Sequence, residues 1–291
     1  AAAPAGSAVA GLRGGMHRLV EALVADVTAR GVRLRTEVEV ATVARGDDAW
    51  RVTLSPAVAD GALDGPSVVV APQVVLAVPG PVALRLLGDT LPGDTLLGEA
   101  PLGDGVLAER PLGDGAPEAT ALAGALDDGV DTGVQIVTLV LEAPALDAAP
   151  RGTGVLVAPE ATGVSAKALT HATAKWAWLA EAAGPGRHVV RLSYGGARHA
   201  RTLDEDAPLA TALADASTLL GVRLGADQVV GWTRTPWPAG LPQVRPGHRD
   251  RVAGVRRTLE QHPGLDACGA WLAGTGLVAV VADARALAAR L

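Results

Sequence analysis

Few residues of this chain are placed to do chemistry, and the clearest group stands in its last quarter. Cys268–Trp271 reads as a strand, Gly274-Thr275-Gly276 as a glycine turn, and about Leu277 to Leu291 as a final helix. A strand, a turn and a helix N-terminus in that order gather several unpaired backbone N–H groups at one point. Such an end stabilises a negatively charged or electron-rich group. Taken alone, the same residues also read as a plain strand–turn–helix connection.

Other candidates offer less. The histidines, His17, His171, His188, His199, His248 and His262, show no metal-ligand spacing, and scattered surface or capping roles account for them. The lone cysteine, Cys268, excludes a disulfide within the chain and a cysteine-based zinc or iron–sulfur site. Ser193 lies outside any Gly-x-Ser-x-Gly elbow. Asp204-Glu205-Asp206 is a carboxylate cluster that reads as helix N-terminal charge, which the macrodipole favours. No Gly-x-Gly-x-x-Gly follows a strand, and no P-loop occurs. The residues by themselves assign no reaction, no catalytic base and no metal.

The elements that must position these residues follow from periodicity. A helix is expected from about Met16 to Ala29, closed by Arg30-Gly31, with Leu19, Val20, Leu23, Val24 and Val27 at helical spacing. Strands are expected at Val32–Leu34, Val38–Val43, Trp50–Leu54, Val68–Val70 and Gln73–Val78. The last is a continuous apolar run, as in a strand buried on both faces, and stops at Pro79-Gly80-Pro81. Further strands read at Val134–Leu141, Gly154–Val157, Lys167–Ala174, Val189–Tyr194 and Gln228–Thr233. Helices read at Pro208–Leu220 and Asp250–His262. Between them, residues 86–115 repeat every five residues, with acids at Asp89, Asp94, Glu99, Asp104, Glu109 and Asp114. Five fits neither the strand period nor the helix period, so the tract reads as a low-complexity, mobile loop. Strands and helices mix without regular alternation, so the fold class is α/β, or α+β.

Bulk composition narrows the partners. At 291 residues the chain has the length of about two domains, and 49% apolar residues suffice for real cores. A net charge of −6 and a pI of about 5.5 argue against nucleic acid, whose phosphates need a concentrated positive face. The longest uncharged stretches, Ser67–Leu84 and Ala267–Ala282, are broken by prolines and glycines respectively, so no transmembrane segment is expected. No signal peptide is visible, and a cytoplasmic setting is expected. Only two of the 25 basic residues are lysines, which reads as the product of a GC-rich genome. Phenylalanine is absent, and six Trp and one Tyr, Tyr194, supply all the aromatic rings.

Several blocks, in order, resemble the flavin-dependent protoporphyrinogen/coproporphyrinogen III oxidases, within the amine-oxidase-like flavoproteins. They include Leu12-Arg-Gly-Gly-Met-His-Arg-Leu-Val-Glu-Ala-Leu23, Val32-Arg-Leu-Arg-Thr-Glu-Val38, Val74-Val-Leu-Ala-Val-Pro79 and Val134-Gln-Ile-Val-Thr-Leu139. Gly152–Val157, Lys167–Trp176, Val190–Gly195, Leu241–Val252 and Pro263–Leu277 continue the series. The resemblance implies a partial FAD-binding, Rossmann-like domain from 1–79 and 248–291, with a mixed-sheet substrate domain from 80–247. It implies that the backbone at Val38 meets the adenine, and that Gly269, Gly274, Gly276, Leu277 and Val278 lie along the flavin ring. It places Lys175 and Trp176 on the substrate side. The implied reaction takes six electrons from a porphyrinogen in three two-electron steps and passes them to O2 as H2O2, with the flavin carrying the chemistry. Coproporphyrinogen III is the expected substrate, and an actinobacterium the expected source.

Departures from the family pattern qualify these expectations. The family's glycine-rich phosphate loop and ribose-binding acid have no counterpart in these residues, so the FAD site is expected to be incomplete. Leu12, Asp131, Leu141, Val155, His171 and Val244 stand where the family has aromatics, and Gly196 where it has an arginine, with Arg198 displaced. The rival readings are another amine-oxidase-like flavoprotein, acting on an amine or carotenoid, and a non-catalytic remnant that has lost the cofactor.

Overall fold

The computed structural model describes residues 10–56, 67–87, 133–195, 203, 206–237 and 248–291. The chain divides into two compact units, each built from separate stretches: Ala1–Leu34 with Asp131–Gly240, and Arg35–Val130 with Leu241–Leu291. The expected α/β (α+β) class is borne out.

The first unit centres on a five-stranded sheet. Its strands are β5 (Val134–Glu142), β6 (Gly154–Leu156), β7 (Ala168–His171), β8 (Arg187–Gly195) and β9 (Val229–Trp237), in the order β6-β7-β8-β5-β9. Every pairing is antiparallel. Alternation decides the faces. Val137, Leu139 and Leu141 on β5 and Val190, Leu192 and Tyr194 on β8 are all buried on one face. Helix α5 (Pro208–Leu220) supplies Ala212, Leu213, Ala216 and Leu220 to the same core. Its bounds follow from Pro208 in the first turn and Gly221 in the left-handed region at φ 69°. Asp215, buried on this helix, accepts backbone N–H bonds from Ser165 at 3.1 Å and Ala166 at 2.8 Å. It thus ties the loop before β7 to the helix.

Helices α3 (Ala172–Lys175) and α4 (Ala177–Ala183) follow β7 directly. Helix α1 (His17–Ala29) belongs to the same unit by contacts and buries none of its residues. The loop before it is anchored: a Cβ on Gly11 would stand 3.2 Å from the Trp176 ring, and Arg13 pairs with Glu181 at 2.8 Å.

In the second unit, β1 (Val38–Arg45), β2 (Trp50–Pro56) and β3 (Val68–Ala71) form an antiparallel sheet, while β4 (Val74–Leu76) pairs in parallel with β10 (Leu265–Ala267). Helices α2 (Gly80–Leu87), α6 (His248–Glu260), α7 (Ala270–Ala273) and α8 (Leu277–Ala288) complete it. Trp50 is fully buried among Val43, Leu76, Leu86, Val255, Leu259 and Leu265. Its Nε1 donates to the Pro263 carbonyl at 3.1 Å. Gly264, at φ +81°, passes so close to the Pro72 carbonyl that a Cβ would collide with it, which lets the chain enter β10 beside β4.

Several expectations need correction. Residues 32–36 are irregular, not strand. The run Gln73–Val78 contributes only Val74–Leu76 to a strand, and Val75 is exposed because the strand belongs to a two-stranded pair without cover on both faces. Lys167–Ala174 is strand only over Ala168–His171, after which the alanine-rich chain turns helical. Cys268–Trp271 is not a strand; the strand is Leu265–Ala267, and α7 begins at Ala270. Leu86 and Leu87, counted with the repeat, close helix α2 and are buried. Residues 88–115 of the repeat, and Asp204-Glu205, lie outside the described residues. Apart from these corrections, residues 10–34 group by contacts with 133–237; the expected division, which set them on the flavin side, is one of role and not of contacts.

Candidate functional site

In the second unit, β10 leads through Gly269, the short helix α7 and Gly274-Thr275-Gly276 into α8. Gly276 caps α8 with φ 112° and ψ 145°, and Gly274 has φ 95° and ψ 165°. These angles lie in a region essentially reserved for glycine. Among the described residues, no atom beyond the chain neighbours stands within 4 Å of where a Cβ on Gly274 or Gly276 would be, so both backbones face open space there. Leu277 is 57% and Val278 87% exposed. The first N–H groups of a helix have no intrahelical acceptors. An exposed helix start reached through two open glycines therefore admits the edge of a flat, electron-rich ring. Gly269 differs: at φ 132° it begins the turn of α7, with the Trp271 ring 3.5 Å from a would-be Cβ.

Val38, also in this unit, opens β1 and is half-buried opposite Pro56. Glu37 before it adopts φ +57°, unusual for a residue with a Cβ, and turns the chain into the strand. Cys268 is buried, and burial pushes its thiol pKa up, so it is poorly suited to act as a nucleophile.

Lys175 and Trp176 stand in the first unit, at the α3–α4 junction. The Lys175 ammonium lies 5.3 Å from the Trp176 ring centroid, a cation–π distance. Trp176 is extended (φ −124°, ψ 106°) between the two helices, its ring against Gly11. The structure thus joins Lys175 to Trp176 in one unit, and holds Val38 and the glycine turn in the other.

Sequence spacing missed one cluster. His171 and His188, expected from sequence to be surface or capping residues, are both buried. His171 Nε2 and His188 Nδ1 are 3.0 Å apart, and His188 Nε2 is 3.0 Å from Asp147 Oδ1. With Asp147 ionised, His188 donates from Nε2, and its Nδ1 accepts from His171 Nε2–H, a tautomer assigned from the network. His171 Nδ1 is then a buried lone pair without a partner among the described residues. Burial, and secondarily the charge His188 could carry, lower the His171 pKa from 6.5 to about 4. Beside the pair lies a cavity of about 400 Å³, lined in part by Leu146, Thr173, Ala180, Glu181 and Arg187. Neither Lys175 nor Trp176 lines it. The pair sits on neighbouring strands, 17 residues apart in sequence, and only strand register reveals it. Among the described residues, no three His, Cys, Asp or Glu side chains form a group able to hold a metal ion, and no helix is long and apolar enough to cross a membrane.

Comparison with known proteins now adds names. The family of flavin containing amine oxidoreductases matches residues 3–102. A coproporphyrinogen III oxidase of Mycobacterium tuberculosis (strain ATCC 25618 / H37Rv) is 36% identical over 148 residues, which are 50% of this chain and 30% of that protein. One from Mycobacterium leprae (strain TN) is 29% identical over 213 residues, 72% of this chain and 38% of that protein. Among solved structures, a provisionally named protoporphyrinogen oxidase from Exiguobacterium sp. 255-15 superposes with a TM-score of 0.69 at 23% identity. That superposition covers 96% of this chain and 51% of the other, so the chain spans about half the solved protein, and the matched stretches span about a third of the curated relatives.

Proposed function

We propose that this chain, whose resemblance to the flavin-dependent porphyrinogen oxidases is borne out, supplies the ring-facing turn and the substrate sheet of a FAD-dependent coproporphyrinogen III oxidase in the cytoplasm. The observation that carries the reading is the open glycine turn at the start of α8. Positive-φ glycines without neighbours, ahead of an exposed helix N-terminus, fit a planar ring that gains negative charge on reduction. When bound, FAD would accept each electron pair from the porphyrinogen and hand it to O2; three such steps give coproporphyrin III and three H2O2.

The chain's own residues then have distinct tasks. The α8 N-terminus at Gly276, Leu277 and Val278 would hold the pyrimidine side of the ring through backbone N–H groups. Gly274 and Gly276 would let that ring approach without a Cβ in the way. Val38 would present its backbone to the adenine. Lys175 and Trp176 would serve the substrate side, the indole giving a flat apolar surface and the ammonium a charge beside it. We name no general base, because no described titratable group is tied to the turn.

The test is aerobic oxidation of coproporphyrinogen III by the gene product carrying these residues, with added FAD, followed by coproporphyrin fluorescence and peroxide release. Flavin-dependent turnover with peroxide supports the reading. A flavin-loaded protein that oxidises amines and leaves the porphyrinogen untouched would overturn it in favour of another amine-oxidase-like activity.

A further inference from the structure

The second face of the five-stranded sheet, opposite the core, differs sharply from the first. Along β5 it carries Ile136, Thr138 and Val140, and along β8 Val189, Arg191 and Ser193. Strand β8 is the middle of the five strands, and Arg191 is the middle residue of β8. Thr138 on β5 and Thr170 on β7 stand directly opposite Arg191 on either side. An exposed guanidinium therefore sits at the centre of this face, ringed by the half-buried Thr138, Val140, Thr170, Val189 and Ser193.

The arginines of this sheet are not alike. Arg187 pairs with Glu142 at 2.6 Å, at one end of the same face. Arg234 donates to Gln135 at 2.7 Å. The Arg191 guanidinium has neither an ion pair nor a hydrogen bond among the described residues. An unpaired, exposed guanidinium flanked by two hydroxyls offers a rigid fork for a carboxylate, and bidentate arginine–carboxylate pairs are among the stronger polar contacts. The chain as a whole carries −6, so an anionic ligand needs such a local cation to be held.

We propose that Arg191 anchors a carboxylate side chain of the substrate, with the apolar ring lying along Ile136, Val140 and Val189. This rests on the porphyrinogen reading above and deepens it. Coproporphyrinogen combines an apolar macrocycle with propionate side chains, and the face offers a hydrocarbon surface around one unpaired cation. Arg191 is on this account a specificity-determining residue: it selects a carboxylated macrocycle over a neutral one.

The test is equilibrium binding of coproporphyrin III, and of its uncharged tetramethyl ester, to the gene product by fluorescence titration. For the free acid, Arg191→Gln should weaken binding by tenfold or more, and Arg191→Lys should recover part of the loss. Arg187→Gln, which removes an arginine already paired, should change binding by less than about twofold. The ester should not distinguish Arg191→Gln from the parent. If Arg191→Gln binds the free acid as tightly as the parent, or weakens acid and ester equally, the anchor role is overturned while the porphyrin reading stands. If the parent binds neither acid nor ester, the porphyrin reading itself falls, and the anchor with it. Arg191 is exposed, so its substitution leaves the core intact, and an unchanged melting curve checks this.

Discussion

The His171–His188 pair and the Gly274–Gly276 turn are opposites. The pair is buried, and apart from His171 Nδ1 its nitrogens are hydrogen-bonded. The turn is open, with exposed side chains after it and no non-neighbouring atom of the described residues near the Cβ position of either glycine. The pair's polar atoms are largely used within the protein, whereas the turn leaves backbone open. A hydrogen-bonded histidine pair fixes β7 against β8. An uncapped helix start, which secondary structure alone leaves unsatisfied, is where a ligand can add something.

The closed region should break hardest. Asp215→Ala removes the acceptor for two backbone N–H groups, leaving that of Ala166 buried and that of Ser165 half-buried. At about 1–3 kcal/mol for each stranded group, the loss is on the order of 4 kcal/mol. Urea unfolding of the two proteins measures it, and a difference below about 1 kcal/mol would show the loop at 165–166 to be held by other means.

Acid probes the same region next most strongly. His171 has a folded pKa of about 4 against 6.5 for the free side chain. The folded state thus binds fewer protons than the unfolded state between those values. The stabilisation is fully present above about pH 6.5 and is lost as the pH falls towards 4. At about 1.4 kcal/mol per unit the window is worth roughly 3 kcal/mol. Unfolding free energies measured from pH 7 to 4 should fall, and His171→Phe should flatten that slope. An equal slope in both proteins would remove His171 from the account.

The open region should show the reverse pattern, a small stability effect with a large ligand effect. Gly276→Ala forces a Cβ onto strained backbone at a cost of about 1–2 kcal/mol, with no collision among the described residues. Flavin affinity should fall by at least tenfold. Gly152→Ala is the control, another positive-φ glycine with open space around it, but in the first unit. It should cost similar stability and leave flavin binding unchanged. Asparagine is no neutral substitute at Gly276, because its φ and ψ lie outside the left-handed helical region that asparagine tolerates.

Sequence pattern reveals the fold where side chains report on it one residue at a time. Strands β5 and β8 alternate between buried and more exposed positions, and α5 is bracketed by Pro208 and Gly221, so all three are readable. Pattern fails where alanine carries no signal: β7 passes into α3 through Thr-His-Ala-Thr-Ala, which suits strand and helix alike. It also fails where strands are too short to alternate, as in β4 and β10. The glycine turn is legible because positive φ restricts the residue type. The histidine pair and the solitary state of Arg191 are invisible beforehand, since both depend on what the neighbouring strand places opposite.

Whether the start of α8 meets a flavin is tested most directly by backbone amide exchange. In the gene product, with and without saturating FAD, exchange at Gly276, Leu277 and Val278 should slow by at least tenfold when flavin is bound. Exchange across the His171–His188 strands should be unchanged. Flavin bound with no slowing at residues 276–278, or slowing confined to other segments, would contradict the account.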